Sequence, residues 1–310
     1  MAGPAIILYA LLVIGAVVVV WLITRRRRTA ELPYLSGGEA RRAPVITAAR
    51  RRALIAVLFA VVVFLVGAIA AVSIPNLLGM PLAVAPLIAG AAGLLLYAAT
   101  PPRSVEVPDD QPRTAGLARR SWLTVIPGGW LHASVEILVI FVAVIVFCGL
   151  TADVDEQGRS RAIRFDAVDQ SSTASPYPGW FYGVPALIAL AVLVVATIVA
   201  LQRIGATAAF PHPDDVDADT QWRRASASVV LSLSTGAVLF PLGGISMTAG
   251  FAMNNAIIER ATPVVWDVIA DVLVIMGILS LVLSVVAVTL AALTAFTIGD
   301  SVARVEKARR

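Results

Sequence analysis

Long apolar stretches bounded by arginine clusters constrain this chain more than any other feature. Of its 310 residues, 59% are hydrophobic and only 14% are charged, whereas soluble domains carry about 25% charged residues. A helix needs ~20 apolar residues to cross ~30 Å of hydrocarbon, and several stretches reach that length. Continuous apolar runs favour helices over a membrane barrel, whose segments are short and alternate. The sequence therefore predicts an all-α, polytopic transmembrane bundle.

We predict about seven spans within a single transmembrane domain, at 4–24, 53–74, 82–100, 130–150, 181–201, 226–251 and 264–298. Four arginines follow the first span and no basic residue precedes it, so it is interpreted as an anchor and not as a cleaved signal. The segment 152–179 is predicted to be a short extracytoplasmic loop. It is too short for a domain with its own core, and it either caps the bundle or binds something at the surface.

The distribution of basic residues predicts the orientation. Twenty of the 24 lysines and arginines fall in segments 25–52, 101–120, 202–224 and 301–310, which alternate threading places on one side. The other side carries four, namely Arg159, Arg161, Arg164 and Arg260. The positive-inside rule then places the N-terminus outside and the C-terminus inside the cytoplasm. Arginine far outnumbers lysine, which is typical of GC-rich bacterial genomes, so we expect the plasma membrane of a bacterium.

Several function classes are excluded by what the sequence lacks. No Walker phosphate loop, H-E-x-x-H pair or G-x-S-x-G elbow is present. With one cysteine and two histidines, neither a disulfide nor a typical zinc site is expected. The net charge of +4 comes from arginines that flank spans, so it indicates topology and no nucleic acid. We expect no cofactor.

The first candidate site lies in the fourth span, where His132 and Glu136 are spaced i, i+4 and therefore share a helix face. The role of this pair depends on the residue at which the fourth span begins. A start at Trp130 places both side chains near the cytoplasmic interface, where headgroups partly hydrate them. A start near Ser121 places Glu136 close to the midplane, where a charge needs a partner and is often functional.

The sixth span provides the second candidate, formed by Ser234, Pro241, Gly243 and Gly244. Hydroxyls and small residues commonly hold membrane helices together, and this is the favoured interpretation. The alternative is a discontinuous helix at 241–244 that lines a cavity, as in transporters.

The last span opens with an acidic pair, Asp267 and Asp271, again spaced i, i+4. The length of the stretch that follows places both at the outer interface, where water solvates them. A surface cation site that includes Glu259 is the alternative.

Three functions remain, in decreasing order of support. The first is a non-enzymatic, permease-like or accessory subunit of a membrane assembly, whose partners are the lipid bilayer and other membrane or ATP-binding subunits. The second is a small carrier or channel for a proton or cation, built on spans four and six. The third is a membrane-embedded enzyme acting on a lipid-linked substrate.

Overall fold

The fold is an all-α bundle whose described helices are long and apolar enough to cross a membrane. A computed structural model describes residues 37–100, 126, 128–208 and 216–309. Within them lie six such helices, which we number α1 (Gly37–Ser73), α2 (Met80–Ala99), α3 (Gly128–Thr151), α4 (Trp180–Ala206), α5 (Val216–Ala256) and α6 (Val264–Arg309). The chain is thus a multi-pass membrane protein. The first predicted span, 4–24, lies outside the described residues, so six helices stand against the seven predicted.

Each of the other six predicted spans coincides with one helix, but three helices extend well beyond their apolar cores. α1 begins at Gly37 and not near 53, α5 begins at Val216 and not near 226, and α6 continues to Arg309. Hydropathy identifies only the apolar segment of each helix, which is the segment that lies in the hydrocarbon core of the membrane. Polar residues continue a helix into the headgroups and water, because helical hydrogen bonds do not depend on the surroundings being apolar.

The described helices pack around α5, which contacts all five others. Neighbours in the chain run antiparallel, so the bundle has two distinct ends. We call the end that holds Arg52, Arg203 and Arg223 the arginine end. The opposite end, where Tyr182 of α4 donates its hydroxyl to the Leu78 carbonyl 2.9 Å away in the α1–α2 turn, is the sheet end. Which end faces the cytoplasm stays a prediction.

The closest pairing in the bundle joins α5 to α6 through small residues spaced seven apart. A Cβ atom built on Gly243 would lie 2.8 Å from the Gly277 carbonyl oxygen, and one built on Gly250 would lie 2.5 Å from that of Ala270. A Cβ atom built on Gly236 would lie 3.4 Å from the Ser284 carbonyl oxygen. In lipid, such close backbone approach is what holds helices together. Gly243 thus lies in close helix-to-helix contact, whereas the Cβ position of Gly244 is open; the interpretation of the whole set of candidate residues in this span as helix-to-helix contact stays a prediction.

Segment 152–179, predicted as a short loop, contains a small antiparallel sheet. Its strands are β1 (Asp153–Val154), β2 (Ser160–Asp166) and β3 (Ser171–Ala174), in the order β1-β2-β3. The β1–β2 turn is closed by Gly158 at φ +73°, a conformation that glycine adopts without strain. Backbone groups at the membrane surface need partners, and in so short a segment a hairpin ladder supplies them without a separate core.

The sheet packs directly on the helix ends. The Phe165 ring meets that of Trp266 edge-on, with 5.3 Å between centroids. Tyr177 is fully buried, and its hydroxyl lies 2.5 Å from the Thr151 hydroxyl at the end of α3. Burial raises the pKa of Tyr177, and the neighbouring Cys148 thiol adds to that effect, so the phenol stays neutral at ordinary pH. The segment therefore caps this end of the bundle.

Candidate functional site

The His132–Glu136 pair of α3 lies on the outer surface of the bundle. Both side chains are exposed, as are their neighbours Val135, Val139 and Ile140. The opposite face of α3 packs inward through Phe141, Ile145 and Cys148. The pair therefore shares one face, as the i, i+4 spacing predicts, but that face points away from the other described helices.

Glu136 lies in the half of α3 nearer the arginine end, eight residues, or about 12 Å, from its first residue, Gly128. This start is close to Trp130, the case in which the sequence places the pair toward the interface. Glu136 is 15 residues from Thr151 at the sheet end of α3, which corresponds to about 22 Å of helix. From the other end, Thr235 of α5 is twelve residues from Arg223, about 18 Å, and Ser134 of α3 contacts Thr235. Since the membrane with its headgroups is about 40–45 Å thick, both distances fit a position of Glu136 within the membrane, on the arginine-end side of its middle.

A group of four hydroxyls lies inside the bundle at the same depth. The Ser134 Oγ of α3 is 3.2 Å from the Thr235 Oγ1 of α5. The Thr197 Oγ1 of α4 is 3.0 Å from the Ser234 Oγ of α5 and 2.8 Å from the carbonyl oxygen of Leu193. Ser234 thus meets one hydroxyl, that of Thr197 in α4, and its neighbour Thr235 meets Ser134 of α3. These pairs connect α3 and α4 to the central helix.

The predicted break at 241–244 is absent, because α5 is one continuous helix from Val216 to Ala256. Proline removes one helical hydrogen bond and usually bends or breaks a helix. Here Pro241 is buried, and α6 holds α5 on both sides of it, at Gly236 and at Gly243. A Cβ atom on Gly244 would meet nothing within 4 Å, and its carbonyl accepts a 2.7 Å hydrogen bond from Thr248 Oγ1. Packing against α6 thus keeps the helix intact.

A small lateral crevice of about 60 Å³ opens between α1, α2, α5 and α6. Phe64 and Phe240 meet edge-on beside it, with ring centroids 5.2 Å apart. Among its lining residues only Ser284 carries a polar side chain, and this hydroxyl donates to the Gly236 carbonyl 2.9 Å away. The crevice therefore offers no charged group to a proton or cation. Its lining comprises Ala60, Val61, Phe64, Pro86, Ala89, Gly90, Leu233, Gly236, Ala237, Phe240, Ser284 and Val288.

The acidic pair of α6 lies at the sheet end, far from the α3 pair. Asp267 is in the first turn of α6, where the helix dipole favours a negative charge. Asp271 is exposed and accepts a 3.5 Å hydrogen bond from the Asn254 amide. In the part of the chain that the structure describes, no three or more metal-ligating side chains are grouped in a way that could hold a metal ion.

The arginine end contains a buried ion pair that the sequence did not single out. Arg223 is 6% exposed, and its Nε donates to Asp219 Oδ2 at 2.9 Å. Its two terminal nitrogens reach the last carbonyls of α4 and those just beyond, including Ile204 at 2.6 Å and Thr207 at 2.9 Å. Arg223 therefore closes the C-terminus of α4 and joins it to α5.

Arg52 of α1 occupies a comparable position at the end of α2 but has far fewer partners. It is 6% exposed, stacks over the Tyr97 ring at 4.5 Å and donates from Nη2 to the Tyr97 carbonyl at 3.0 Å. Its Nε is buried without a hydrogen-bond partner, and so are the hydroxyls of Tyr97 and Ser226. Buried polar atoms without partners are uncommon in folded proteins.

An ionic cluster orders the turn of the small sheet, and it predicts a pH dependence. Burial pushes the pKa of the Asp155 carboxyl upward, but hydrogen bonds from the backbone N–H groups of Arg159 and Gln157 and from the Arg159 guanidinium outweigh burial and lower it below 3.8. The pKa of Asp155 is lower in the folded turn than in the unfolded chain. The ionised carboxylate therefore stabilises the turn above the unfolded-state pKa, and this stabilisation is lost as the pH falls through the folded-state pKa.

We expect hydrogen exchange measured by mass spectrometry to show this loss in peptides covering 153–166. At pH 6 the wild-type turn should be better protected than that of Asp155→Asn, and the difference should shrink as the pH falls below 3.8. Because both proteins are compared at the same pH, the intrinsic pH dependence of hydrogen exchange cancels. A difference that persists unchanged at the lower pH would contradict the role given to Asp155.

Comparisons with known proteins add no constraint: no family model, no curated protein and no solved structure matches the chain. The candidate sites therefore rest on geometry alone.

Proposed function

We propose that this chain is a non-enzymatic subunit, permease-like or accessory, of a larger assembly in a bacterial plasma membrane. The observation that carries the proposal is Glu136, an acidic side chain of a membrane-spanning helix that is exposed on the outside of the bundle. A charged residue at the centre of a membrane helix costs about 2.5–3.5 kcal/mol on insertion scales, and such residues almost always face protein or water. A partner helix that supplies a polar or basic group beside Glu136 offsets this cost.

The interior gives less support to a carrier or channel. The polar groups at mid-depth in the described core are hydroxyls that bond to one another across α3, α4 and α5. The α3 pair and the α6 acids lie on the surface and at different depths, so they form no common path or reaction centre. A carrier or enzyme built on these residues therefore has no geometric support, whereas a subunit interface needs only the outward face that α3 presents.

Photo-crosslinking in native membranes tests the proposal. A photoreactive residue at Val139, which is 62% exposed and one turn from Glu136, should give a discrete protein adduct. The matched control is Val195 of α4, which is 59% exposed and has no acidic residue beside it, and there we expect lipid adducts only. Absence of any protein adduct at position 139 would contradict the proposal.

Replacing Glu136 by leucine should have opposite effects on the assembly and on the isolated chain. Within the membrane, the adduct at position 139 should fall at least tenfold, because the partner loses the group that it pairs with, an effect of about 1.4 kcal/mol or more. The purified chain alone should keep or raise its thermal midpoint, because an uncompensated acid has been removed from the apolar surface. A variant that leaves the adduct unchanged would exclude Glu136 from the interface.

A further inference from the structure

The two buried arginines at the arginine end, Arg52 and Arg223, differ in their hydrogen-bond partners. Arg223 shows how this fold satisfies a buried guanidinium: its nitrogens donate to both oxygens of Asp219 and to carbonyls that follow α4. Arg52 is equally buried, yet it makes a single hydrogen bond, to the Tyr97 carbonyl. No carboxylate of the described residues forms an ion pair with it. Arg52 therefore lacks an anion where Arg223 has one.

The surroundings of Arg52 consist of further donors. The Tyr97 and Ser226 residues are 1% and 0% exposed. Their hydroxyls lie beside each other without a hydrogen bond of good geometry. Arg203 is near enough to exert a like-charge effect on Arg52, and its own side chain is exposed at the end of α4. One guanidinium group and two hydroxyls from α1, α2 and α5 thus meet without an acidic residue among them, and Arg203 of α4 adds positive charge nearby.

We infer that Arg52, Tyr97 and Ser226, with Arg203 nearby, form a cluster that binds a phosphate group. Guanidinium groups bind phosphate with strong, charge-assisted hydrogen bonds. Phosphate also carries enough acceptor oxygens to use the Arg52 Nε and both hydroxyls, which are the atoms that lack partners. It takes the place at Arg52 that the Asp219 carboxylate occupies at Arg223. Since the cluster lies at one end of the bundle, the phosphate comes either from a lipid headgroup or from solution.

Two titrations on the full chain in dodecyl maltoside, a detergent without phosphate, distinguish the sources. In the first, sodium phosphate is compared with sodium chloride at equal ionic strength. In the second, phosphatidylglycerol is compared with a diglucosyl diacylglycerol, which lacks phosphate. A saturable rise in thermal midpoint with inorganic phosphate identifies a soluble source. A rise with phosphatidylglycerol only identifies a lipid headgroup. No rise specific to phosphate in either titration overturns the inference.

Variants assign the effect to the cluster. Replacing Arg52 by glutamine should weaken the response about tenfold or more, whereas the same change at its exposed neighbour Arg51 should leave it intact. Because Arg52→Gln also removes the hydrogen bond to Tyr97, Tyr97→Phe and Ser226→Ala provide a second test. Each should raise the midpoint without phosphate, since an unpartnered buried hydroxyl is gone, and weaken the phosphate response about threefold. An unchanged response in both hydroxyl variants would overturn the site as drawn.

Discussion

Replacing Arg223 by glutamine is expected to cost the bundle about 3–5 kcal/mol, the range for removing one member of a buried ion pair. The variant leaves the Asp219 carboxylate, whose side chain is 14% exposed, without its cation. It also removes donors from the carbonyls of Ile204 and Thr207 at the end of α4. Because the pair is buried, added salt should change the loss little. The measurement is equilibrium unfolding in detergent, followed by tryptophan fluorescence.

The adjacent Arg224 is exposed and serves as the matched control. Arg224→Gln removes the same charge from the same helix end and should change stability by less than about 0.5 kcal/mol. The double variant Asp219→Asn with Arg223→Gln should lose clearly less than the sum of the two single changes, because neither partner is then left as an unpaired buried charge. Additive losses would show that the two side chains are not coupled.

The second large effect is expected where α5 meets α6. A Cβ atom on Gly243 would lie 2.6 Å from Leu281 Cγ and 2.8 Å from the Gly277 carbonyl oxygen. The backbone cannot yield here without separating the two helices, so Gly243→Ala should destabilise the bundle by about 1–3 kcal/mol, and valine by more. Thermal unfolding in detergent measures the loss.

Gly244 is the natural control because it is the next residue of the same helix and its Cβ position is open. Gly244→Ala should be neutral or should stabilise α5 by up to about 1 kcal/mol, since alanine is the better helix former. Opposite signs at two adjacent glycines would demonstrate that packing against α6, and not helix propensity, governs this region. Equal effects would contradict the close contact.

Hydropathy and arginine placement predicted the helical class and the position of each described helix, because insertion into a bilayer depends on local composition. Contacts between side chains could not be predicted from the sequence, because they join residues of different helices. Thr197 meets Ser234, and Arg52 meets Tyr97, in this way. The glycine contacts carried a signal that hydropathy does not use: Gly236, Gly243 and Gly250 recur every seven residues. A regular spacing of small residues indicates which face a neighbouring helix covers.

The alternative interpretation of 241–244, a discontinuous helix, was wrong for a related reason. Proline followed by two glycines favours a break in an isolated helix. In the bundle, contacts with α6 on both sides of Pro241 outweigh that local preference, and a sequence pattern alone does not contain those contacts. The small sheet was missed because β2 does not alternate: its consecutive residues Ala162 and Ile163 are both buried. The strand β1 has only two residues, too few for a periodic signal.

The central position of α5 has a consequence for biogenesis. A ribosome delivers α1 to α4 to the membrane before the helix that they all pack against has been made. During that interval the hydroxyls of Ser134 and Thr197 face lipid or the insertion machinery, because Thr235 and Ser234 are still untranslated. Nascent chains that stop before residue 216 should therefore remain bound to insertion factors and be degraded quickly, while synthesis through α6 releases them.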